Sequence, residues 1–175
     1  KIIILVVVLI VVIAIAVTLT MYFRKRAKYV YDIEVVTQRE YNTINVDNRY
    51  GVIDGSGNVV IEPTYDVIQI PNPSKPVFIC MSDYNTETKQ YQTKVLNDKK
   101  EQIITGYDNV QAIPTETTAD GIPFEKTVLK YLKDGKYGLI SMDGKEITDP
   151  VYDDISAVNY KEGMLLVEQD GKVGV

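Results

Sequence analysis

A chain of 175 residues with 19 Lys and Arg against 24 Asp and Glu has room for one ordinary domain plus an appendage, with apolar content enough for a modest core. It contains no histidine, which removes Ser-His and Cys-His nucleophilic systems and most transition-metal sites together. A single cysteine forbids an internal disulfide.

The apolar residues are unevenly placed. No charge occurs from Ile2 to Phe23, and Ile2 to Val17 is an unbroken run of Ile, Leu, Val and Ala. About 22 such residues would form a helix of roughly 33 Å, matching a hydrocarbon layer of about 30 Å. The sequence therefore predicts a single-pass transmembrane helix over 1–23, followed by a basic flank and juxtamembrane strand segment over 24–47. Tyr22 and Phe23 suit an interfacial girdle, and Arg24, Lys25, Arg26 and Lys28 follow where headgroups would lie. Membrane lipid is thus an expected partner of the helix. The basic cluster reads as a stop-transfer flank, with a hold on anionic lipid as the alternative.

A cleaved signal peptide is the competing reading, since Ala14-Ile15-Ala16 is a small-x-small pattern. It lies inside the apolar run, so cleavage would leave an apolar end, and the uncleaved span is preferred. A lipoprotein anchor would need a cysteine just after the run, whereas the cysteine is Cys80. Lys1 is not a start residue, so further residues are expected upstream of it. Four basic residues after the span and one before it favour a cytoplasmic domain by the positive-inside rule. An N-terminal apolar segment ahead of a whole domain also acts commonly as an uncleaved export signal. Sidedness stays open, leaning extracytoplasmic.

Setting aside the five basic residues up to Lys28 leaves 14 Lys and Arg against 24 Asp and Glu, a net charge near -10 for the remainder. Such a domain repels phosphate backbones, and no nucleic acid is expected as a partner. Tyr31, Ile33 and Val35 alternate with Asp32 and Glu34, the pattern of a half-buried strand in a stalk or cap.

From Asn48 onward the sequence repeats. Tyr50-Gly51-Val52-Ile53-Asp54-Gly55 through Pro63-Thr64-Tyr65-Asp66 recurs as Tyr137-Gly138-Leu139-Ile140-Ser141 through Pro150-Val151-Tyr152-Asp153. A worn copy runs from Lys94-Val95-Leu96-Asn97 to Tyr107-Asp108-Asn109-Val110 with one residue deleted, and a partial copy opens at Asp170-Gly171-Lys172-Val173-Gly174-Val175. The units fall at about 48–70, 94–113, 134–158 and 170–175. A period of about 43 residues marks a repeat architecture. Each unit reads as short strands: Asp54-Gly55-Ser56-Gly57, Asp134-Gly135 and Asp170-Gly171 signal hairpin turns, and Pro63 and Pro150 are expected to stop strand pairing. Loops over Pro71–Pro76 and Pro114–Pro123 are expected where units join. The fold class is an all-β repeat domain of tandem hairpin units, solenoid-like or propeller-like, preceded by one transmembrane helix. The repeat equivalence predicts that Gly51→Val and Gly138→Val destabilise alike. A fourth unit cut at Val175 is expected to continue in further repeats or to be covered by a partner, because an open β edge recruits other chains.

These residues resemble the WG-repeat (KWG) proteins of bacteria, whose units carry a Lys-x-Gly-hydrophobic-Ile-Asp-x-x-Gly core and a Pro-x-Tyr-Asp tail. The likeness covers about Asn48 to Val175. The namesake Trp is absent, with Tyr50, Tyr137 and Val173 in its place. The resemblance implies a β-rich scaffold, often surface- or membrane-linked, with no common catalytic residue.

Candidate chemistry is sparse. Asp66, Asp108 and Asp153 share one repeat position and are expected to accept backbone N–H groups at turns rather than to act as a carboxylate pair. Asp54, Ser56 and Asn58 have the 1-3-5 spacing of a calcium loop, but Val59 replaces the required Gly and Tyr65 the bidentate Glu. The glycines belong to hairpins, not to a phosphate loop. Cys80, inside Val77-Phe78-Ile79-Cys80-Met81, is expected to be a buried inert thiol, with an intermolecular disulfide as the alternative. Of the 13 tyrosines, Tyr65, Tyr107 and Tyr152 are expected between units, whereas Tyr84 and Tyr91 flank a polar loop and are the candidate binding surface. No catalytic, cofactor or metal residue is expected. The reading is a membrane-anchored β-repeat interaction module with a protein or polymer partner and no enzymatic activity. A structural accessory subunit of a membrane complex is the alternative, and a glycan-active enzyme a distant third.

Overall fold

A computed structural model describes residues 11–22, 40–116, 121–158, 161 and 163–175. The chain divides into two compact units, Lys1–Val36 and Thr37–Val175. In the first, a helix covers 11–22 and its side chains are exposed throughout. The Thr18 and Thr20 hydroxyls donate to the carbonyls of Ala14 and Ala16, both at 2.7 Å, so these polar groups are satisfied inside the helix. No helix among the described residues is long and apolar enough to cross a membrane. The described turns span about 18 Å, and the rest of the expected span, 1–10, lies outside the described residues. So do the alternating segment at Tyr31–Val35 and the flanking residues Phe23, Arg24, Lys25, Arg26 and Lys28.

The second unit is built of small antiparallel sheets. The first joins β1 (Tyr41–Val46), β2 (Arg49–Asp54) and β3 (Val59–Tyr65); the second joins β4 (Val67–Gln69), β5 (Phe78–Asn85), β6 (Gln90–Leu96) and β7 (Gln102–Ile104). The third joins β8 (Asn109–Gln111), β9 (Val128–Lys133) and β10 (Lys136–Ser141), and the fourth β11 (Asp154–Ala157), β12 (Leu165–Gln169) and β13 (Lys172–Gly174). Consecutive strands are neighbours in every sheet. The described part of this unit is therefore all-β, and the first sheet starts at Tyr41, upstream of the first recognised repeat.

The sheets hold together face to face. β2 lies against β4, β6 against β8 and β10 against β11. Val52 and Ile61 from the first sheet bury against Ile68, Ile70, Phe78, Cys80 and Leu96 from the second. The opposite face of the second sheet, Val77, Ile79, Met81 and Val95, meets Val110, Leu129, Tyr131 and Ile140 of the third. This explains why β5 opens with four buried residues in a row: its two faces both lie between sheets. Burying one such side chain contributes about 1.5–3 kcal/mol, so the units stabilise one another.

The turn after the Tyr-Gly strand is the most faithfully repeated element. Asp54, Asn97 and Ser141 each donate their N–H to the carbonyl four residues on and accept from the N–H three residues on, all at 2.9–3.0 Å. Their side chains then accept the N–H of Asn58, Glu101 and Lys145 at 2.8, 2.9 and 3.0 Å. The residue three on has positive φ in every copy: Gly57 at 77°, Lys100 at 65° and Gly144 at 85°. The worn copy thus keeps the turn with Asn for Asp and Lys for Gly. Asp54 spends both carboxylate oxygens on Ser56 and Asn58 donors, as a turn acceptor does, and not as a calcium ligand would.

Two expectations need correction. Pro63 does not end its strand: it sits within β3 at a register shift, after which pairing resumes at Tyr50↔Tyr65. Proline lacks an N–H, and the bulge removes the need for one. Pro150 likewise precedes an antiparallel bridge, Tyr137↔Tyr152. The loops around Pro71–Pro76 and Pro114–Pro123 do not join units but connect β4 to β5 and β8 to β9 inside single sheets; the joints lie at Tyr65-Asp66, Tyr107-Asp108 and Tyr152-Asp153. Gly51 and Gly138 stand against different neighbours. A Cβ on Gly51 would stand 2.5 Å from the Ile61 carbonyl oxygen, whereas one on Gly138 would meet the Tyr131 ring at 2.6 Å.

Candidate functional site

The Asp after each joint tyrosine ties a hairpin in place. The Asp66, Asp108 and Asp153 carboxylates accept the N–H of Asp83, Asp134 and Asp170 at 3.1, 3.0 and 2.7 Å. Each donor residue opens the turn of its own sheet's central hairpin and has φ of 51–53°. Asp66 also pairs with Arg49, and Asp153 with Lys136, both reaching back to the preceding sheet. The Asp66 and Asp153 clamps therefore each join two consecutive sheets, and the Asp108 carboxylate holds the hairpin of the third. Lys136, then the Asp170 N–H, hold the Asp153 carboxyl below the usual carboxylate range. The recurrent aspartates accordingly serve the scaffold. Their cations were missed in the sequence because each lies 17 residues upstream, although both occupy the same repeat position.

Tyr65 is half-buried against the cluster between the first two sheets. Tyr107 lies 4.5 Å from the buried Tyr131 ring and donates to Glu146 at 2.9 Å. Burial and then Glu146 push the Tyr107 phenol up to about 12. Tyr152 is half-buried and bridges to Tyr137, over whose ring the Lys130 ammonium lies at 4.7 Å. Cys80 is free, 1% exposed and raised by burial to about 12. An intermolecular disulfide would need an accessible thiolate, so that alternative is set aside.

Tyr84 and Tyr91 have no counterpart in the other units. The central hairpins elsewhere close over two residues of positive φ: Asp47-Asn48, Asp134-Gly135 and Asp170-Gly171. In the second sheet Asp83 has the same φ of 53° and the same clamp, but the chain runs on to Tyr91 before pairing is restored at Ser82↔Gln92. The extension is ordered by its own bonds. Asn85 and Gln90 pair across it, and the Asn85 side-chain oxygen accepts the N–H of Glu87 and Thr88 at 2.8 and 3.0 Å.

At its base the Tyr84 and Tyr91 rings lie 4.8 Å apart at 54°. Tyr91 packs partly against the core between the second and third sheets, while Tyr84 is 48% exposed. One ring is anchored and the other offered to solvent, ringed by exposed polar residues from Asp83 to Gln90. This arrangement suits amphipathic contact. No group of three metal-binding side chains occurs among the described residues.

The fold and site define an array of small antiparallel sheets clamped by recurrent aspartates, with one hairpin enlarged. Residues 50–71 and 137–172 match the family model described as the WG containing repeat. These two segments are similar to that repeat, and the match supports a WG-repeat protein. The worn copy between them falls outside the match but has the same turn. No curated protein and no solved structure matches the chain.

Proposed function

We propose that this chain is a membrane-tethered interaction module whose WG-type sheets hold the Tyr84–Tyr91 hairpin against a protein partner. The supporting observation is the enlarged hairpin itself. Every described counterpart closes in two residues, and only here does the chain add length, order it with internal hydrogen bonds and leave an aromatic ring exposed on an anchored base. Tyrosine gives large contact area at low entropic cost, and sites on rigid elements are well positioned. We read the successive sheets as tandem units of one scaffold, solenoid-like or propeller-like. The recurrent aspartates are engaged in turns and clamps, which favours binding over catalysis, and the acidic domain disfavours nucleic acid.

Crosslinking the full chain in its native membranes, with and without Tyr84→Ala, tests the hairpin. The variant removes a ring outside the core clusters, so its melting temperature should match the parent's while crosslinked partner falls severalfold. An unchanged crosslinking pattern overturns the reading.

The tether is supported by the uncharged Ile2–Phe23 run and the basic residues after it. Val12→Arg should abolish stable membrane residence, since a charge at mid-span costs about 2.5–3.5 kcal/mol on insertion scales. Retention of the variant in carbonate-washed membranes at the parent's level defeats the tether without touching the hairpin.

A further inference from the structure

The three joint aspartates use their carboxylates alike, with one exception. In Asp66, Asp108 and Asp153 the Oδ2 atom accepts the hairpin N–H of the sheet that the aspartate introduces. In Asp66 and Asp153 the Oδ1 atom takes a cation, from Arg49 and Lys136. Among the described residues no cation pairs with Asp108, whose Oδ1 is left to solvent. The residue in the cation's place is Gln92. It stands opposite Ser82 as Arg49 stands opposite Val46 and Lys136 opposite Lys133. It also precedes the Asn97 turn by the interval at which Arg49 and Lys136 precede Asp54 and Ser141. This joint adjoins the rebuilt hairpin. Thr93 Oγ1 donates to the Asn109 side-chain oxygen at 2.9 Å, which ties the strand leaving the hairpin to the residue after Asp108. Tyr91 and Tyr107 pack on one core cluster. The one joint whose cation is replaced and the one hairpin with added length therefore share a corner.

We propose that Asp108 Oδ1 seats an arginine or lysine side chain of the polypeptide that meets the Tyr84–Tyr91 hairpin, so that the partner's docking segment is basic. The inference rests on the reading of that hairpin as a contact surface and adds the chemistry of what it contacts. Charge selects the occupant. The same carboxylate oxygen holds a cation at both other joints, and the acidic remainder of the chain draws cationic segments toward it. The exposed Tyr84 ring at the hairpin base suits a guanidinium plane or an ammonium group as well. Among the described residues no group of three metal-binding side chains occurs, so a side-chain cation fits this carboxylate better than a metal ion does.

The probe is a synthetic peptide of alternating arginine, glycine and serine, titrated into isotope-labelled full chain in detergent micelles and followed by amide NMR beside the same peptide with glutamine for arginine. Shifts from the arginine peptide should centre on Asp108, Gln92 and the hairpin base, and the glutamine peptide should leave them unmoved. Asp108→Asn keeps an oxygen for the Asp134 N–H and should weaken binding roughly threefold, the size of an exposed ion pair. Gln92→Arg supplies the cation from within the chain, as Arg49 does for Asp66, and should weaken binding by a similar factor with no loss of melting temperature. Shifts spread over the acidic surface, equal binding of the two peptides, or full binding by Gln92→Arg each overturn the proposal. Crosslinking in native membranes separates it from the reading beneath it. A partner lost in Tyr84→Ala but retained at the parent's level in Asp108→Asn leaves the hairpin as the contact and removes the cation seat. A partner unmoved by Tyr84→Ala removes both.

Discussion

The worn second repeat and the better-preserved first and third differ far more in sequence than in structure. The turn at Asn97–Glu101 reproduces the two backbone bonds of those at Asp54–Asn58 and Ser141–Lys145 and, in all three, the first side chain accepts the N–H four residues on. The central hairpin of the second sheet is, by contrast, the one rebuilt. A side chain that accepts two N–H groups can be Asp or Asn, so sequence can drift while geometry stays. The hairpin tip lies outside the inter-sheet core and tolerates insertion. Structure is held where sheets meet, and novelty enters where they do not.

The sharpest way to test that equivalence is at the two glycines. Gly51→Val drives a branched side chain into the backbone of β3, which cannot step aside without losing its pairing, and should cost on the order of 4 kcal/mol. Gly138→Val meets a side chain instead, that of fully buried Tyr131, and should cost about 2 kcal/mol. In the first sheet the residue opposite Gly51 is Ile44, in the register position of Tyr131. A Gly138→Ala, Tyr131→Ile double variant should therefore recover part of the loss caused by Gly138→Ala alone. Equal melting shifts for the two valine variants, or strict additivity in the double variant, would break this account.

Much of this was legible in the sequence. Asp134-Gly135 and Asp170-Gly171 announced their hairpins, and the recurring Tyr-Asp announced turn acceptors. The hairpin at Asp47-Asn48 was missed because neither residue is glycine, though both adopt positive φ. The joints were misplaced because proline-rich loops look like boundaries. The real joints are tight Tyr-Asp corners, whose hydrogen bonds leave no compositional trace. Tyr84 and Tyr91 stood out only by lacking a repeat role; that one ring is anchored and the other exposed required coordinates.

Acid should separate the copies next. Asp54 is held below the usual carboxylate range: burial opposes this, but the Asn58 side chain and the backbone N–H groups of Asn58 and Ser56 outweigh it. A lowered folded-state pKa contributes stability that is complete above the unfolded value of about 3.9 and is lost as pH falls through the folded one. Asp153 acts in the same direction through Lys136 and Asp170. Asn97, at the Asp54 position of the worn copy, does not titrate. Asp54→Asn should change stability little at pH 7, within about 1 kcal/mol, and should blunt the fall in melting temperature below about pH 4. A variant whose acid limb matches the parent's would show that the first turn contributes nothing to acid sensitivity.

The smallest effect concerns the residue at which the worn copy departs most from its neighbours. Lys100 holds φ of 65° where the other copies place Gly57 and Gly144 at 77° and 85°. A side chain there costs roughly 1–2 kcal/mol relative to the right-handed region, a cost glycine escapes, though glycine gives back about 0.5–1 kcal/mol through its freer unfolded state. The Lys100 N–H still donates to the Asn97 carbonyl at 3.0 Å, so the bond pattern needs no adjustment. Lys100→Gly should accordingly raise stability by about 0.5–1 kcal/mol. Placing Ala at Gly57, where a Cβ meets nothing within 4 Å, should lower it by a similar amount through the same φ. Opposite signs from these two changes, measured by denaturant midpoint at unchanged m, would confirm that the copies share one turn. A loss from Lys100→Gly would mean that the worn copy has settled into a turn of its own.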